Sequence, residues 1–306
     1  METHQQDQSM YDVIIVGGSY AGLSAAMTLA RSIRSVLIID SGKPCNAATP
    51  HSHNFITHDG AVPGEISKKA KQQVLQYPTV EIRSELAVEA GKDGKLFYVK
   101  TQDQKLYKSR KLLFSTGLKD LLPNITGIAE CWGKSVLHCP YCHGYEGKGE
   151  KTALLGNGDM AYHVAMLLKQ LTSELTIFTN GSAQLTPEQL NKIQTNNIQV
   201  IEMPVREIIH QDGYLKKLVL TDDRDYKFEV MYAKVNFEQH CNLPERLGCL
   251  KDDLGLIKVD EMQKTNIEGV YAAGDNTSMG RSLSIAIAAG TRAGAALNAE
   301  MCAEDF

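Results

Sequence analysis

Tyr11-Asp12-Val13-Ile14-Ile15-Val16-Gly17-Gly18-Ser19-Tyr20-Ala21-Gly22 is the stretch on which the fold turns. Tyr11 to Val16 is a short β-rich run that reads as a buried parallel strand. The glycine turn follows directly, and Ala21 to Arg31 has helical spacing with small residues at Ala25, Ala26 and Ala30. A second apolar run, Ser35 to Ile39, ends at Asp40, the separation from the glycines at which a dinucleotide fold places its ribose-binding acid. In such a fold Gly17 permits the tight turn and the helix N-terminus receives a pyrophosphate. Gly22 lets helix and strand pack closely, and Asp40 accepts from ribose hydroxyls. Ser19 stands where the fingerprint has its middle glycine, and a side chain that small still lets a phosphate approach. An ordinary tight turn between strand and helix is the plainer reading of the same glycines.

The pattern occurs again downstream. Thr152 to Leu155 reads as a strand, Gly156-Asn157-Gly158-Asp159-Met160-Ala161 as a second glycine turn, Ala161 to Leu171 as its helix and Glu174 to Phe178 as the next strand. A second dinucleotide half therefore begins near residue 150, with Gly156, Gly158 and Ala161 as its candidate contacts to NADPH or NADH. Alanine at the sixth position is a variant common where the site takes a phosphorylated nicotinamide. The strand end, Thr179-Asn180-Gly181-Ser182, offers neither an acid for a free ribose hydroxyl nor arginines for a 2′-phosphate. This half either holds nicotinamide loosely or has lost it.

Just before that second half lies Leu137-His138-Cys139-Pro140-Tyr141-Cys142-His143-Gly144-Tyr145-Glu146. Two residues between cysteines bring both sulfurs together when the second opens a helix, and the helix start lowers a thiolate pKa. That is dithiol chemistry in outline. The same spacing is half of many zinc sites, but Cys45, Cys131, Cys241, Cys249 and Cys302 stand singly, so no second ligand pair exists and no metal is expected. Cys-Pro-Tyr-Cys also resembles the glutaredoxin tetrapeptide, which belongs near the start of a short domain rather than mid-chain.

At 306 residues the chain is long enough for two domains. Apolar content of 43%, charge of 22% and a net charge of -4 are those of a soluble globular protein with no basic excess to neutralise nucleic-acid phosphates. Met1 to Met10 is polar and slightly acidic, unlike a signal peptide, and the apolar runs stay short of a membrane span. Seven cysteines, an odd number, fit a reducing compartment, and a cytoplasmic location is expected.

Elsewhere, Ser41 to Gly60 is loop-like and carries Asn46, His51, His53 and His58. It reads equally as a cover over a cofactor ring or as a solvated loop. Glu65 to Gln76 looks helical; Val80 to Arg83, Lys95 to Thr101 and Lys105 to Lys108 look like a small meander. Lys111 to Phe114 is a buried strand ending in Ser115-Thr116-Gly117. Gln184 to Thr195 reads as helix, Tyr226 to Asn236 and Leu256 to Val259 as strands. Gly269 to Asp275 is a strand running into Gly274-Asp275, where an acid can bind flavin ribityl hydroxyls. Ser284 to Asn298, dense in alanine with Gly290 and Gly294, reads as a closely packed helix whose N-terminus either faces a flavin ring or is plain core.

Two glycine turns, a Cys-x-x-Cys ahead of the second, and a Gly-Asp segment near the end, in that order over residues 11 to 298, resemble the low-molecular-weight thioredoxin reductase family. The resemblance implies an α/β chain with two Rossmann-like domains: a FAD domain from 1–117 plus 244–306, and an inserted NAD(P)-type domain, 118–243, carrying the dithiol. It also implies a homodimer with FAD, held by Gly17, Ser19, Gly22, Asp40, Asn46, Thr116, Gly117, Gly274, Asp275 and Ser284. Cys142 would exchange electrons with the flavin and Cys139 with the substrate, a thioredoxin-like protein or a small dithiol or disulfide. His143 stands where the family's proton-managing acid follows the second cysteine. The arginine-rich 2′-phosphate motif is absent after Phe178, and the family's arginine-glutamine near the last helix is Arg281-Ser282. These departures look like the branch that oxidises small dithiols and passes electrons to oxygen without nicotinamide. A flavin-binding regulatory protein with a vestigial site is the remaining alternative.

Overall fold

The structure, a computed structural model, describes residues 10–306. The polar segment 1–9, read above as unlike a signal peptide, lies outside them. Among the described residues no helix is long and apolar enough to cross a membrane.

The chain divides into two compact units. The first takes the chain up to Cys45, then Gly64–Lys119 and Glu238–Phe306; the second takes Asn46–Pro63 and Asp120–Phe237. Boundaries read from sequence at 117 and 243 thus fall at 119 and 237, and one further segment, Asn46–Pro63, goes with the dithiol. Its local contacts give the reason. Ser52 bridges Ala61 to close the loop, Gly133 lies against Ala48 and Thr49, and His53 meets Glu146.

The first unit is built on a seven-stranded sheet. Its order is Val80–Arg83, Val36–Ile39, Met10–Val16, Leu106–Phe114, Leu96–Thr101 and Ala87–Asp93, with Val270–Ala272 also on Leu106–Phe114. Val80–Arg83 does not belong to a meander: it lies parallel to Val36–Ile39, with Val80 opposite Val36. The two runs expected at Lys105–Lys108 and Lys111–Phe114 are one nine-residue strand. Its first half pairs antiparallel with Leu96–Thr101 and its second half lies parallel to Val270–Ala272, so one strand has two kinds of neighbour. Ala87–Asp93, largely exposed, carries too little apolar signal to be read in advance.

Helix Tyr20–Arg31 packs on helix Leu283–Asp305. A β-carbon on Gly290 would strike the Ala21 backbone, and one on Gly294 would lie 2.8 Å from the Ala25 carbonyl oxygen. The small residues of the last helix are therefore a condition of close approach, and burial of Ala25, Ala26, Ala293, Ala296 and Leu297 follows from it. That helix runs past Asn298 to Asp305, beyond the expected end.

The second unit has a five-stranded parallel sheet ordered Gln199–Ile201, Leu175–Phe178, Thr152–Leu155, Val230–Ala233 and Val136–Leu137. Its helix Gly158–Leu168 begins on the glycine turn itself, three residues earlier than expected. A three-stranded antiparallel sheet, Val205–Gln211, Tyr214–Leu220 and Asp225–Lys227, adjoins it in sequence. The run Tyr226 to Asn236 is not one strand: Asp225–Lys227, Val230–Ala233 and Asn236–Gln239 belong to three different sheets. Helix Pro187–Thr195 starts late because Thr186 and Gln189 form a reciprocal capping box around a proline. Leu256 to Val259 is not a strand; Ile257 forms an isolated bridge with Lys251.

Candidate active site: a dithiol and two glycine turns

Cys139 and Cys142 are joined as a disulfide, with their Cα atoms 5.3 Å apart. The pair opens the one-turn helix Pro140–His143, where Pro140 costs nothing at the first helical position because that amide has no helical partner. Cys139 is the N-cap. Its Sγ accepts from the Cys142 amide at 3.1 Å, and its carbonyl accepts from the His143 amide at 3.2 Å. A backbone donor aimed at Cys139 Sγ favours the charged form of that sulfur once the pair is reduced.

His143 is half-buried, and its carbonyl accepts from Tyr232 Oη at 3.2 Å. Burial, and then the nearness of His53, push the His143 pKa below its usual value, while Glu146 pulls it the other way. His53 lies edge-on to the His143 ring with centroids 6.2 Å apart, and its Nδ1 is 3.3 Å from Glu146 Oε1. His138 stacks on Trp132. Tyr141 and Tyr145 are exposed beside the pair. Among the described residues, no group of three or more His, Cys, Asp or Glu is placed to hold a metal ion.

In the first unit the two expected flavin segments converge. Gly17 (φ +107°) turns the chain under the Ser115 carbonyl, and a β-carbon on Gly22 would run into Gly17 and, at 2.7 Å, the Ser115 hydroxyl. Only glycine fits either position. Ser19 is an extended N-cap whose side chain makes no cap hydrogen bond, so no side chain closes the helix end. Gly274 (φ +101°) comes within 3.0 Å of Ala21 when given a β-carbon, so the Gly-Asp segment abuts that same helix end. Thr116 Oγ1 is buried with no hydrogen-bond partner, and Gly117 (φ +65°) has open space around it. An orphaned hydroxyl, an uncapped helix end and a glycine cradle fit a dinucleotide.

Other expected contacts are differently employed. Asp40 Oδ2 is bound by Lys71 Nζ at 3.0 Å, and its other oxygen accepts from the Gly42 amide. Asp275 has Arg281 Nε at 3.5 Å and Cys45 Sγ at 3.9 Å. Ser282, not Ser284, caps the last helix by accepting from the Ile285 amide, and Ser284 is exposed in its first turn. Asn46 falls in the segment that goes with the dithiol unit, and its carbonyl takes the Thr49 amide.

The second glycine turn is occupied from within. Gly156 packs against the Ala161 β-carbon, which explains a small sixth residue without reference to any ligand. Asn157 Oδ1 accepts from the amides of Gly158 (2.9 Å) and Gln184 (2.7 Å), and its Nδ2 donates to the carbonyls of Thr179 and Ser182. The side chain thereby stitches the segment after the strand onto the helix start. Asp159, in the first turn, is held by Gln189 Nε2 at 2.7 Å and puts a fixed negative charge there. Asn157, at a variable fingerprint position, is the residue that sequence reasoning missed; His53 is named there only as part of the loop, and its place beside Glu146 depends on how that loop folds.

Residues 11–293 match the family described as pyridine nucleotide-disulphide oxidoreductase. The thioredoxin reductase tcpT of Claviceps purpurea is 30% identical over 307 residues, covering 97% of this chain and 96% of that protein. The thioredoxin reductase of Bacillus subtilis is 26% identical over 283 residues, covering 88% and 87%. A crystal structure of a putative thioredoxin reductase, TrxB, from Bacillus anthracis superposes with a TM-score of 0.93 at 30% identity, covering 97% of this chain and 100% of that one. The chain belongs to the pyridine nucleotide-disulphide oxidoreductases and is a FAD-dependent oxidoreductase of the thioredoxin reductase type.

Proposed function

We propose that this enzyme moves electron pairs between FAD and a thiol or disulfide substrate through Cys139 and Cys142, with Cys142 as the flavin-side sulfur and Cys139 as the exchanging one. The observation that carries the reading is the closed pair at the start of Pro140–His143, with a backbone amide on Cys139 Sγ. That amide supports Cys139 as the thiolate that attacks a disulfide or leaves a mixed one. His143, next in the chain, is kept neutral by burial and so is suited to take a thiol proton.

FAD, when bound, supplies a two-electron acceptor that dithiols can reduce. The uncapped end of Tyr20–Arg31 and the Gly17, Gly22 and Gly274 backbone would hold its pyrophosphate, and Thr116 Oγ1 would meet one of its polar atoms. Replacing Cys142 by Ser is expected to abolish dithiol bleaching of the flavin; retention of bleaching would overturn the assignment.

A second reading is favoured by the second glycine turn. Asn157 takes the Gly158 amide, Asp159 places a negative charge in the same turn, and neither 156–161 nor 179–184 contains Lys or Arg. These features support a dithiol oxidase, in which small dithiols reduce the flavin and oxygen reoxidises it. Anaerobic titration with NADPH, NADH and small dithiols in turn decides between the readings. Bleaching by dithiols alone, with peroxide formed in air, is the oxidase; bleaching by either nicotinamide is the reductase. A cytoplasmic homodimer is part of the proposal, checked by sedimentation and fractionation.

A further inference from the structure

Segment Asn46–Pro63 brings His53 into the dithiol unit and sets it beside Glu146. His53 is largely buried, with its side chain 19% exposed, and its Nδ1 is 3.3 Å from Glu146 Oε1 and 3.8 Å from Asp59 Oδ1. Its ring meets the edge of His143 at a centroid distance of 6.2 Å, and His51 lies on its other side at 6.4 Å, tied by Nδ1 to the Gly60 carbonyl. The loop is closed by the Ser52 to Ala61 bridge and by Asn54 N donating to Asp59 Oδ1 at 2.7 Å. Tyr232 also meets His143: its hydroxyl donates to the His143 carbonyl, and its pKa is driven up, chiefly by burial.

We propose that His53 and Glu146 are positioning residues for the redox dithiol: the pair they form beside His143 governs when that histidine can accept a proton from the reduced cysteines. This rests on the reading of Cys139 and Cys142 as the redox pair. When the reduced pair closes, the S–S bond forms, two electrons pass to FAD and two protons leave the sulfurs. His143 takes one and the other leaves with the reduced flavin or to solvent. A charge on His53 opposes a second positive charge on His143, whereas the Glu146 carboxylate favours it. Burial lowers the His143 pKa and His53 lowers it further, whereas Glu146 raises it, so the two neighbours act in opposite directions on how readily the ring holds a proton. Glu146 is the more exposed end of the group.

The test uses the full-length holoenzyme, reduced anaerobically with dithiothreitol and freed of excess reductant. The rate of iodoacetamide labelling of Cys139 and Cys142 is followed from pH 5 to pH 9 by peptide mass, which separates these sites from Cys45 and Cys302. The wild-type profile is expected to contain a step that His143→Gln removes. Glu146→Gln is expected to move that step to lower pH and His53→Gln to higher pH, each by about half a unit or more. Neither change should move anything in the His143→Gln background. Unmoved steps, shifts in the same direction, or shifts that persist without His143 overturn the proposal. Labelling does not depend on flavin turnover, so failure of dithiols to bleach the wild-type flavin defeats the functional reading while the profiles still decide this one.

Discussion

Glu300 is the place to test how the first unit keeps its last helix. Its carboxylate accepts from Lys111 Nζ (2.6 Å), Lys264 Nζ (2.7 Å) and Tyr271 Oη (2.7 Å), tying Leu283–Asp305 to two strands that end near the flavin segments. Burial pushes its pKa up, but the three donors outweigh burial and hold it at about 2, against 4.5 in the unfolded chain. At roughly 1.4 kcal/mol per unit, the ionised carboxylate contributes on the order of 3 kcal/mol. The folded value is depressed, so this stability is fully present above pH 4.5 and is lost as pH falls toward 2. Glu300→Gln keeps the shape and removes the charge. It also leaves Lys111, whose side chain is 6% exposed, with Glu304 alone. Urea unfolding at pH 7, followed by far-UV circular dichroism and flavin fluorescence, is expected to show a loss of about 3 kcal/mol. The gap between wild type and variant should close as pH is lowered from 4.5 toward 2. A difference below about 0.5 kcal/mol at pH 7, or one independent of pH, would refute the reasoning.

Two further outcomes concern the flavin site. Gly290→Ala puts a β-carbon onto the Ala21 backbone and should cost about 1–3 kcal/mol with parallel loss of bound FAD, read by thermal melting and the ratio of flavin to protein absorbance. Thr116→Val replaces an unpartnered buried hydroxyl by an isosteric methyl, so the apoprotein should melt at the wild-type temperature or above. FAD affinity, measured by equilibrium dialysis, should fall roughly five-fold, about 1 kcal/mol.

What was legible in advance was local. Gly17 and Gly22 announce their turn because the constraint is the backbone's own, and Cys139 and Cys142 announce theirs because a shared turn needs only their spacing. Asp40 was half-legible: its position at a strand end is written in the chain, but its partner Lys71 arrives on a helix 31 residues away. The strand Leu106–Phe114 was read as two because Ser109 and Arg110 interrupt the apolar run. Ser109 is nevertheless fully buried, its hydroxyl satisfied by the Lys111 carbonyl, and Arg110 is paired with Asp305. Polar residues inside a strand are recognisable only once their partners are known. His53 shows the same limit at the site, since nothing near it in sequence says that its loop folds with Glu146.

Asn157 carries the sharpest consequence for electron supply. A nicotinamide pyrophosphate would take the helix-start amides, and one of these, Gly158 N, already serves Asn157 Oδ1. Seating the phosphate means giving up that bond, disturbing the shared acceptor of Gln184 N, and placing an anion beside the Asp159 carboxylate. At about 1 kcal/mol for each of these three costs, binding weakens by roughly 3 kcal/mol, or about two orders of magnitude. A nicotinamide nucleotide that would otherwise bind at micromolar concentration then needs about a hundred-fold more. Asn157→Gly with Asp159→Asn removes all three costs and should raise NADPH affinity at least ten-fold, toward a hundred-fold, in fluorescence titration. Wild-type binding tighter than about 10 μM, or a double variant no better than wild type, would refute Asn157 as a barrier to nicotinamide binding.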